Sequence, residues 1–214
     1  MKKAFTLLEL IFVIVIIGIL AAVIVPNTHR SPLREAAVQL VSHIRYTQHL
    51  AMIDDKFDSA DANWSKKRWQ MKFSKVGGSD NLWAYAIFSD ATVDGIPNAS
   101  ETAANPMDTS KKLNGGYSGT IKYGDIDATN KLNLGHTYSV TNIFMTGGCN
   151  ITDDGTKRIS FDHLGRPIAG SLSAMTGPYA GITLVQSTCN IILNSAEGNV
   201  TIAIEPETGY AHIL

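Results

Sequence analysis

Hydrophobic positions are distributed very unevenly along this 214-residue chain. From Phe5 to Val25, 18 of 21 residues are apolar, and the interruptions are Thr6, Glu9 and Gly18. A run with no polar periodicity predicts a helix apolar on every side, the kind buried in protein or lipid. At about 1.5 Å per residue it would extend roughly 31 Å, close to a hydrocarbon core of about 30 Å. Val13-Ile14-Val15-Ile16-Ile17 would weaken a helix in water. Lipid makes the backbone bond within itself, so propensity yields there. Lys2 and Lys3 precede the run and no acid does, which keeps its start cytoplasmic. A removed signal peptide would share the basic start, but this run is longer and no clean small-x-small site follows it. Ala21-Ala22-Val23 is the nearest candidate.

The pattern changes after Pro26, where Asn27-Thr28-His29-Arg30-Ser31-Pro32 is polar. Leu33, Ala37, Leu40, Ile44, Thr47 and Ala51 then recur at alternating four and three spacing, one apolar stripe of an amphipathic helix. Ser31 and Pro32 suit an N-cap and first helical position, with Glu35 in the first turn and an end near Asp54-Asp55. Pro26 and Pro32 bracket a bend.

The remainder reads as β. Lys67 to Ser74 alternates, with Trp69, Met71 and Phe73 on one side, and Leu82 to Phe88 is a second strand. Residues 89–119 hold Gly, Pro, Asn, Asp and Ser with few large apolar side chains, which predicts a long variable loop. Strands are expected at 119–123, 137–145, 157–161 and 181–185. At the end come Cys189–Leu193, a Glu197-Gly198-Asn199 turn, Val200–Ile204, a Pro206-Glu207-Thr208-Gly209 turn and Tyr210–Ile213. The fold class is therefore α+β.

Composition adds little to this. A net charge of −1 makes no global case for nucleic acid, and a mean hydropathy near zero averages two unlike parts.

Glu9 is the odd residue, because a carboxylate inside a spanning helix is costly and marks function. Lys3-Ala4-Phe5-Thr6-Leu7-Leu8-Glu9-Leu10 resembles the signal of type IV prepilins and type II secretion pseudopilins. The resemblance implies cleavage between Ala4 and Phe5 by a prepilin peptidase, N-methylation of Phe5, and retention of the helix. It also gives Gly18 and Pro26 the family's helix-bending positions. Ala4 departs from the family's usual Gly before the cut. Glu9 is then expected to neutralise the Phe5 amine of a neighbouring subunit and so set register. Leu33 to Phe57, Ile159–Pro167 and Thr208-Gly209-Tyr210 are similar to elements of GspH/FimT-type minor pseudopilins. The implied architecture is pilin-like: leader 1–4, transmembrane and filament-core helix 5–26, amphipathic helix 27–57, and periplasmic β-rich domain 58–214.

Cys149 and Cys189 follow no metal-ligand spacing. Outside the inner membrane they would sit in an oxidising compartment, where a disulfide is favoured over two buried thiols. Sequons occur at Asn63, Asn98, Asn150 and Asn199, and Asp61 and Glu197 precede two of them as in the extended bacterial form; turn composition explains them equally. Arg30 to Lys75 carries nine basic residues against five acids, with Lys66, Lys67, Arg68, Lys72 and Lys75 near Trp64 and Trp69. Such interleaving suits single-stranded nucleic acid, but a solvated strand face explains it as well, so DNA is not an expected partner. Asp162-His163 reads as a turn and not as part of a triad. Asp153-Asp154-Gly155 offers oxygens to Ca²⁺, though a hairpin turn accounts for it without metal. No nucleophile-elbow, P-loop, dinucleotide, zincin or CxxC motif occurs, so no catalytic residue, metal or cofactor is assigned.

The expected protein is a non-enzymatic pseudopilus subunit, single-pass in the inner membrane with its C-terminal domain periplasmic. Its partners would be other pilins or pseudopilins, the prepilin peptidase and the assembly platform. The alternatives are a minor type IV or competence pilin touching DNA or surfaces, and a membrane-anchored periplasmic enzyme.

Overall fold

The unbroken apolar run begins helix α1, Leu7–Ile24. Thr6 starts it, because its hydroxyl and its carbonyl both accept from the Glu9 backbone N–H, at 3.3 and 3.1 Å. The computed structural model describes residues 6–24, 31–150, 157–179 and 184–214. The chain divides into two units, Met1–Ser31 and Pro32–Leu214. Among the described residues no helix is long and apolar enough to cross a membrane. The 18 residues of α1 rise about 27 Å, short of the roughly 31 Å expected of 5–25, whose two ends lie outside the described residues.

The second unit is organised by α2, Pro32–Ile53. Its buried face is Leu33, Ala36, Ala37, Leu40, Val41, Ile44, Thr47 and Ala51, which contains every member of the sequence stripe. Leu40 and Ile44 are fully buried, each worth about 1.5–3 kcal/mol over exposure. Ala36 and Ala37 add no bulk on that face, so the helix lies close to what it covers.

Two antiparallel sheets receive this face. The first contains β1 (Trp69–Lys75), β2 (Trp83–Ser89), β6 (Lys157–Phe161) and β7 (Pro167–Ala169), ordered β2-β1-β6-β7. The second contains β5 (Asn142–Gly147), β8 (Cys189–Ser195), β9 (Gly198–Ile204) and β10 (Ala211–Ile213), ordered β10-β9-β8-β5. Alternation puts Met71, Phe73, Tyr85, Ile87, Ile159 and Phe161 of the first sheet into the core with Ile143, Ile191, Leu193, Ile202 and Ile204 of the second. The main core cluster includes the apolar members of the α2 stripe, and a smaller cluster gathers Ile168, Leu172 and Met175.

Three sequence expectations are corrected. Residues 89–119 are not an open loop: β3 (Ala104–Asn105) and β4 (Asp108–Lys112) form a hairpin, and Ala103 and Leu113 are buried. Thr102, Asn114 and Asn133 each bridge the free edge of β2, at Phe88, Ala86 and Ala84. Small polar residues make this layer through backbone bonding, so it carries no alternating apolar signal. Residues 119–123 are turn and coil, and 137–145 starts in a short helix α3, Leu134–Tyr138, before β5. Asn133 caps α3 by accepting from the His136 N–H at 3.0 Å. The strand expected at 181–185 falls largely outside the described residues.

The polar face of β1 is also not solvated. Gln70 and Lys72 are buried opposite Ser160 and Arg158, because the segment after β2 covers them. Lys72 donates to Gly95 O at 2.8 Å and to the Tyr117 hydroxyl at 2.7 Å.

The two turns singled out in the sequence meet on α2. Gln48 Nε2 donates to Gly165 O at 2.8 Å and to Thr208 O at 2.7 Å. At Gly209 (φ +61°) a Cβ would lie 2.5 Å from Gly165 O, so only glycine fits. One amide thus joins α2 to the turns that follow β6 and β9.

Candidate assembly site

Of the expected N-terminal site residues, Glu9 and Gly18 are described; Ala4, Phe5 and Pro26 lie outside the described residues. Glu9 is in the first turn of α1 and is the sole charge between Leu7 and Ile24. Every side chain from Thr6 to Ala21 is exposed, so the apolar surface runs all round the helix and Glu9 is its single charged mark. Gly18 lies within the continuous helix, and a Cβ there would meet nothing within 4 Å. Within its own unit Gly18 is therefore not required for packing.

Cys149 and Cys189 are bonded, with Cα atoms 5.0 Å apart. Both are buried at the end of the β5/β8 ladder, where Gly147 is the register partner of Cys189. The chain leaves the second sheet after β5, builds β6 and β7 in the first, and returns at β8. The bond closes that excursion.

The basic and aromatic cluster does not form an open surface. The Arg68 guanidinium is buried between the Trp64 and Tyr179 rings, at 4.9 and 4.8 Å, and donates to Pro178 O. Lys67 pairs with Asp61 at 2.7 Å. Trp69 is half-buried and its indole N–H donates to Asp54 at 2.8 Å. Of the five cations only Lys75 is exposed.

Asp162 is fully buried and accepts from the Leu164 and Arg166 backbone N–H groups, at 3.0 and 2.9 Å, while Arg166 pairs with it at 2.8 Å. His163 beside it is exposed. The pair is a turn, as its spacing implied. Asp153-Asp154-Gly155 lies outside the described residues. Asn63 and Asn199 are exposed, whereas Asn98 is engaged with Thr92, Asp94 and Glu101.

A second buried polar group joins α2 to the first sheet. His43 Nδ1 lies 2.7 Å from the Tyr85 hydroxyl, which also accepts from Gln39 Nε2 at 3.0 Å; Tyr138 donates to Gln39 Oε1 at 2.9 Å. Burial lowers the His43 pKa to about 4 and raises that of Tyr85. The unfolded chain therefore takes up this proton first as pH falls. The stabilisation is complete above about pH 6.5 and is lost on descending towards pH 4. Discounted for the part of the ring that still meets solvent, the loss should be about 2 kcal/mol. Urea unfolding of wild type and His43→Leu at pH 7 and 4.5 should show it as a steeper acid loss in the wild type; equal losses would refute it.

Outside every sequence expectation, Asp90, Asp94 and Glu101 each bring a carboxylate oxygen to within 4.8 Å of the others. Burial raises the Asp90 pKa, and the neighbouring charges of Asp94 and Glu101 add to this.

Comparison with known proteins bears on the N-terminus alone. A family model described as the prokaryotic N-terminal methylation motif matches residues 1–25. No curated protein and no solved structure matches the chain. The matched motif is a structural signal and not an enzyme family, and it covers Ala4, Phe5, Glu9 and Gly18. The N-terminus of this chain is a type IV prepilin-like methylation motif, the signature shared by pilins and pseudopilins.

Proposed function

We propose that the chain is a minor pseudopilin, a structural subunit of a type II secretion pseudopilus. One observation carries this reading: the methylation motif at residues 1–25 coincides with a helix exposed and apolar on every side except at Glu9. Such a surface is not stable in water and needs either lipid or like helices around it. Both are used in turn. The helix first holds the subunit in the inner membrane, with Lys2 and Lys3 cytoplasmic and the Pro32–Leu214 unit periplasmic. Prepilin peptidase cuts between Ala4 and Phe5 and methylates the new amine of Phe5. The assembly platform then moves the helix from lipid into a bundle of its own kind, with Gly18 and Pro26 supplying the bend. The C-terminal unit meets neighbouring subunits. The subunit does no chemistry of its own; its work is burial and register.

Processing is the direct test. Mass analysis of the N-terminal peptide from membranes containing the peptidase should show a chain starting at Phe5 with one added methyl group. An intact Met1, or a start after Ala22, would overturn the proposal.

A further inference from the structure

The twelve residues from Asp90 to Glu101 read Asp-Ala-Thr-Val-Asp-Gly-Ile-Pro-Asn-Ala-Ser-Glu. Counted from Asp90, oxygen-bearing side chains fall at positions one (Asp90), three (Thr92), five (Asp94), nine (Asn98) and twelve (Glu101), and Gly95 is at six. A 12-residue calcium loop draws ligands from positions 1, 3, 5, the main-chain oxygen of 7, and 9 and 12, with Gly at 6. The departure is Thr92, which offers a neutral oxygen where Asp or Asn is usual.

An electrostatic observation points to a cation independently of that spacing. Asp90 is fully buried and Glu101 is 9 % exposed, and both carboxylates point to the same place as Asp94. Among the described residues neither Asp90 nor Glu101 has an ion-pair partner. Their hydrogen bonds bring no full positive charge. Asp90 accepts from the Asp94 and Gly95 backbone N–H groups, at 3.1 and 2.8 Å. Glu101 accepts from the Thr92 N–H at 2.7 Å and from Asn98 Nδ2 at 3.0 Å. The same amide nitrogen donates to Asp94 and Thr92, at 3.1 and 3.2 Å, so Asn98 would turn its amide over to ligate through oxygen. Each carboxylate oxygen keeps a free lone pair. Buried like charges left this way are costly unless a cation joins them. The donors are all hard oxygens, and none is a nitrogen or sulfur ligand of the kind that favours zinc or copper. A loop offering six oxygens, three of them from carboxylates, suits Ca²⁺ better than the smaller, strictly octahedral Mg²⁺.

We propose that residues 90–101 are a calcium site, with Asp90, Thr92, Asp94, the Ile96 carbonyl, Asn98 and Glu101 as its ligands. The neck of the loop is already closed, since Ser89 N–H donates to Glu101 O at 3.1 Å and Phe88 bridges Thr102. Its other side holds Lys72 through Gly95 O. Calcium therefore fastens the layer that covers the polar face of β1 and β6. The site belongs to the Pro32–Leu214 unit and does not depend on the filament reading.

The test uses the full chain in detergent, stripped with EDTA and titrated with CaCl₂ or MgCl₂ by calorimetry and thermal melting. Three charged ligands and three neutral ones suit the weaker class of such loops, with a dissociation constant of about 0.1–1 mM. Calcium at about 100 times that constant should raise the melting temperature by about 5 °C or more, and magnesium should not. Glu101→Gln should weaken calcium binding at least about tenfold, one ligand charge being removed, without lowering the calcium-free melting temperature. Asp94→Asn, at an exposed position, gives the same readout if Glu101→Gln fails to fold. The proposal is overturned if wild type binds no calcium at 10 mM (about ten times the weakest expected constant). It is equally overturned if the variant that folds keeps wild-type affinity, which would place binding elsewhere, as at Asp153-Asp154.

Discussion

Replacing Glu9 with valine should abolish incorporation into filaments while leaving the subunit folded, processed and held in the membrane. The expectation rests on charge and not on packing. A carboxylate within a spanning segment costs up to about 2.5–3.5 kcal/mol at the bilayer centre, less near an end, so valine makes the helix easier to keep in lipid. What valine removes is the partner for a neighbour's N-terminal amine. Two unit charges about 4 Å apart at an effective dielectric of about 20 attract by roughly 4 kcal/mol. Leaving one member of a buried pair alone costs about 3–5 kcal/mol. At about 1.4 kcal/mol per factor of ten, each subunit contact would weaken by about two to four orders of magnitude. The measurement is the fraction of subunit recovered in sheared filaments, with membrane level and N-terminal mass as controls. The Pro32–Leu214 unit has its own core and contains no part of α1, so its folding should not register the change. Glu9→Asp keeps the charge on a shorter arm and should restore assembly in part. A helix that served only as an anchor would accept valine, so wild-type filament yield would reject the pairing role.

Legibility in the sequence followed the physical origin of each element. The α2 stripe could be read because a helix that covers two sheets must repeat apolar residues at helical spacing, and Leu33 to Ala51 does so. The strands β1, β2, β6, β8 and β9 could be read because each puts alternate apolar side chains into one core. The layer over the other face of β1 could not. It is built from the segment after β2, which meets Lys72 through Gly95 O and the Tyr117 hydroxyl, and such polar contacts leave no apolar period. Without that layer in view, Lys72 and Arg158 look like solvent-facing positions, and the structure buries both. The Gln48 contact is hidden for a related reason. It joins residues 117 and 160 positions apart through carbonyls, which side-chain chemistry does not announce. The N-terminal motif was fully legible, since its function depends on consecutive residues and not on folding. The acidic loop was missed, although the spacing of Asp90, Asp94, Gly95 and Glu101 is a signal that could have found it. That signal was masked by a composition typical of variable loops.

Removing the disulfide should cost the Pro32–Leu214 unit about 3–4 kcal/mol of stability. Cys149 and Cys189 are 40 residues apart, and a cross-link closing a loop of that size removes about 4 kcal/mol of unfolded-state entropy in the chain model. The closed segment contains β6 and β7, which pair in the first sheet, while the bond itself sits in the second. An unfolded chain without the bond has to find both sheets with that excursion free. A Cys149→Ala, Cys189→Ala double variant is the suitable comparison, because serine would add a buried hydroxyl at a site where both cysteines are shielded from water. Urea unfolding should show a loss of about 3–4 kcal/mol and a larger denaturant slope, since the unlinked chain exposes more surface when unfolded. Near-ultraviolet circular dichroism of the native state should not change, as the effect lies in the unfolded ensemble. Two free thiols under denaturing, non-reducing conditions, or coincident midpoints for the two proteins, would refute it. The same bond ties folding to an oxidising compartment. Kept reduced, the chain should unfold near the midpoint of the alanine variant, and reoxidation should restore the difference.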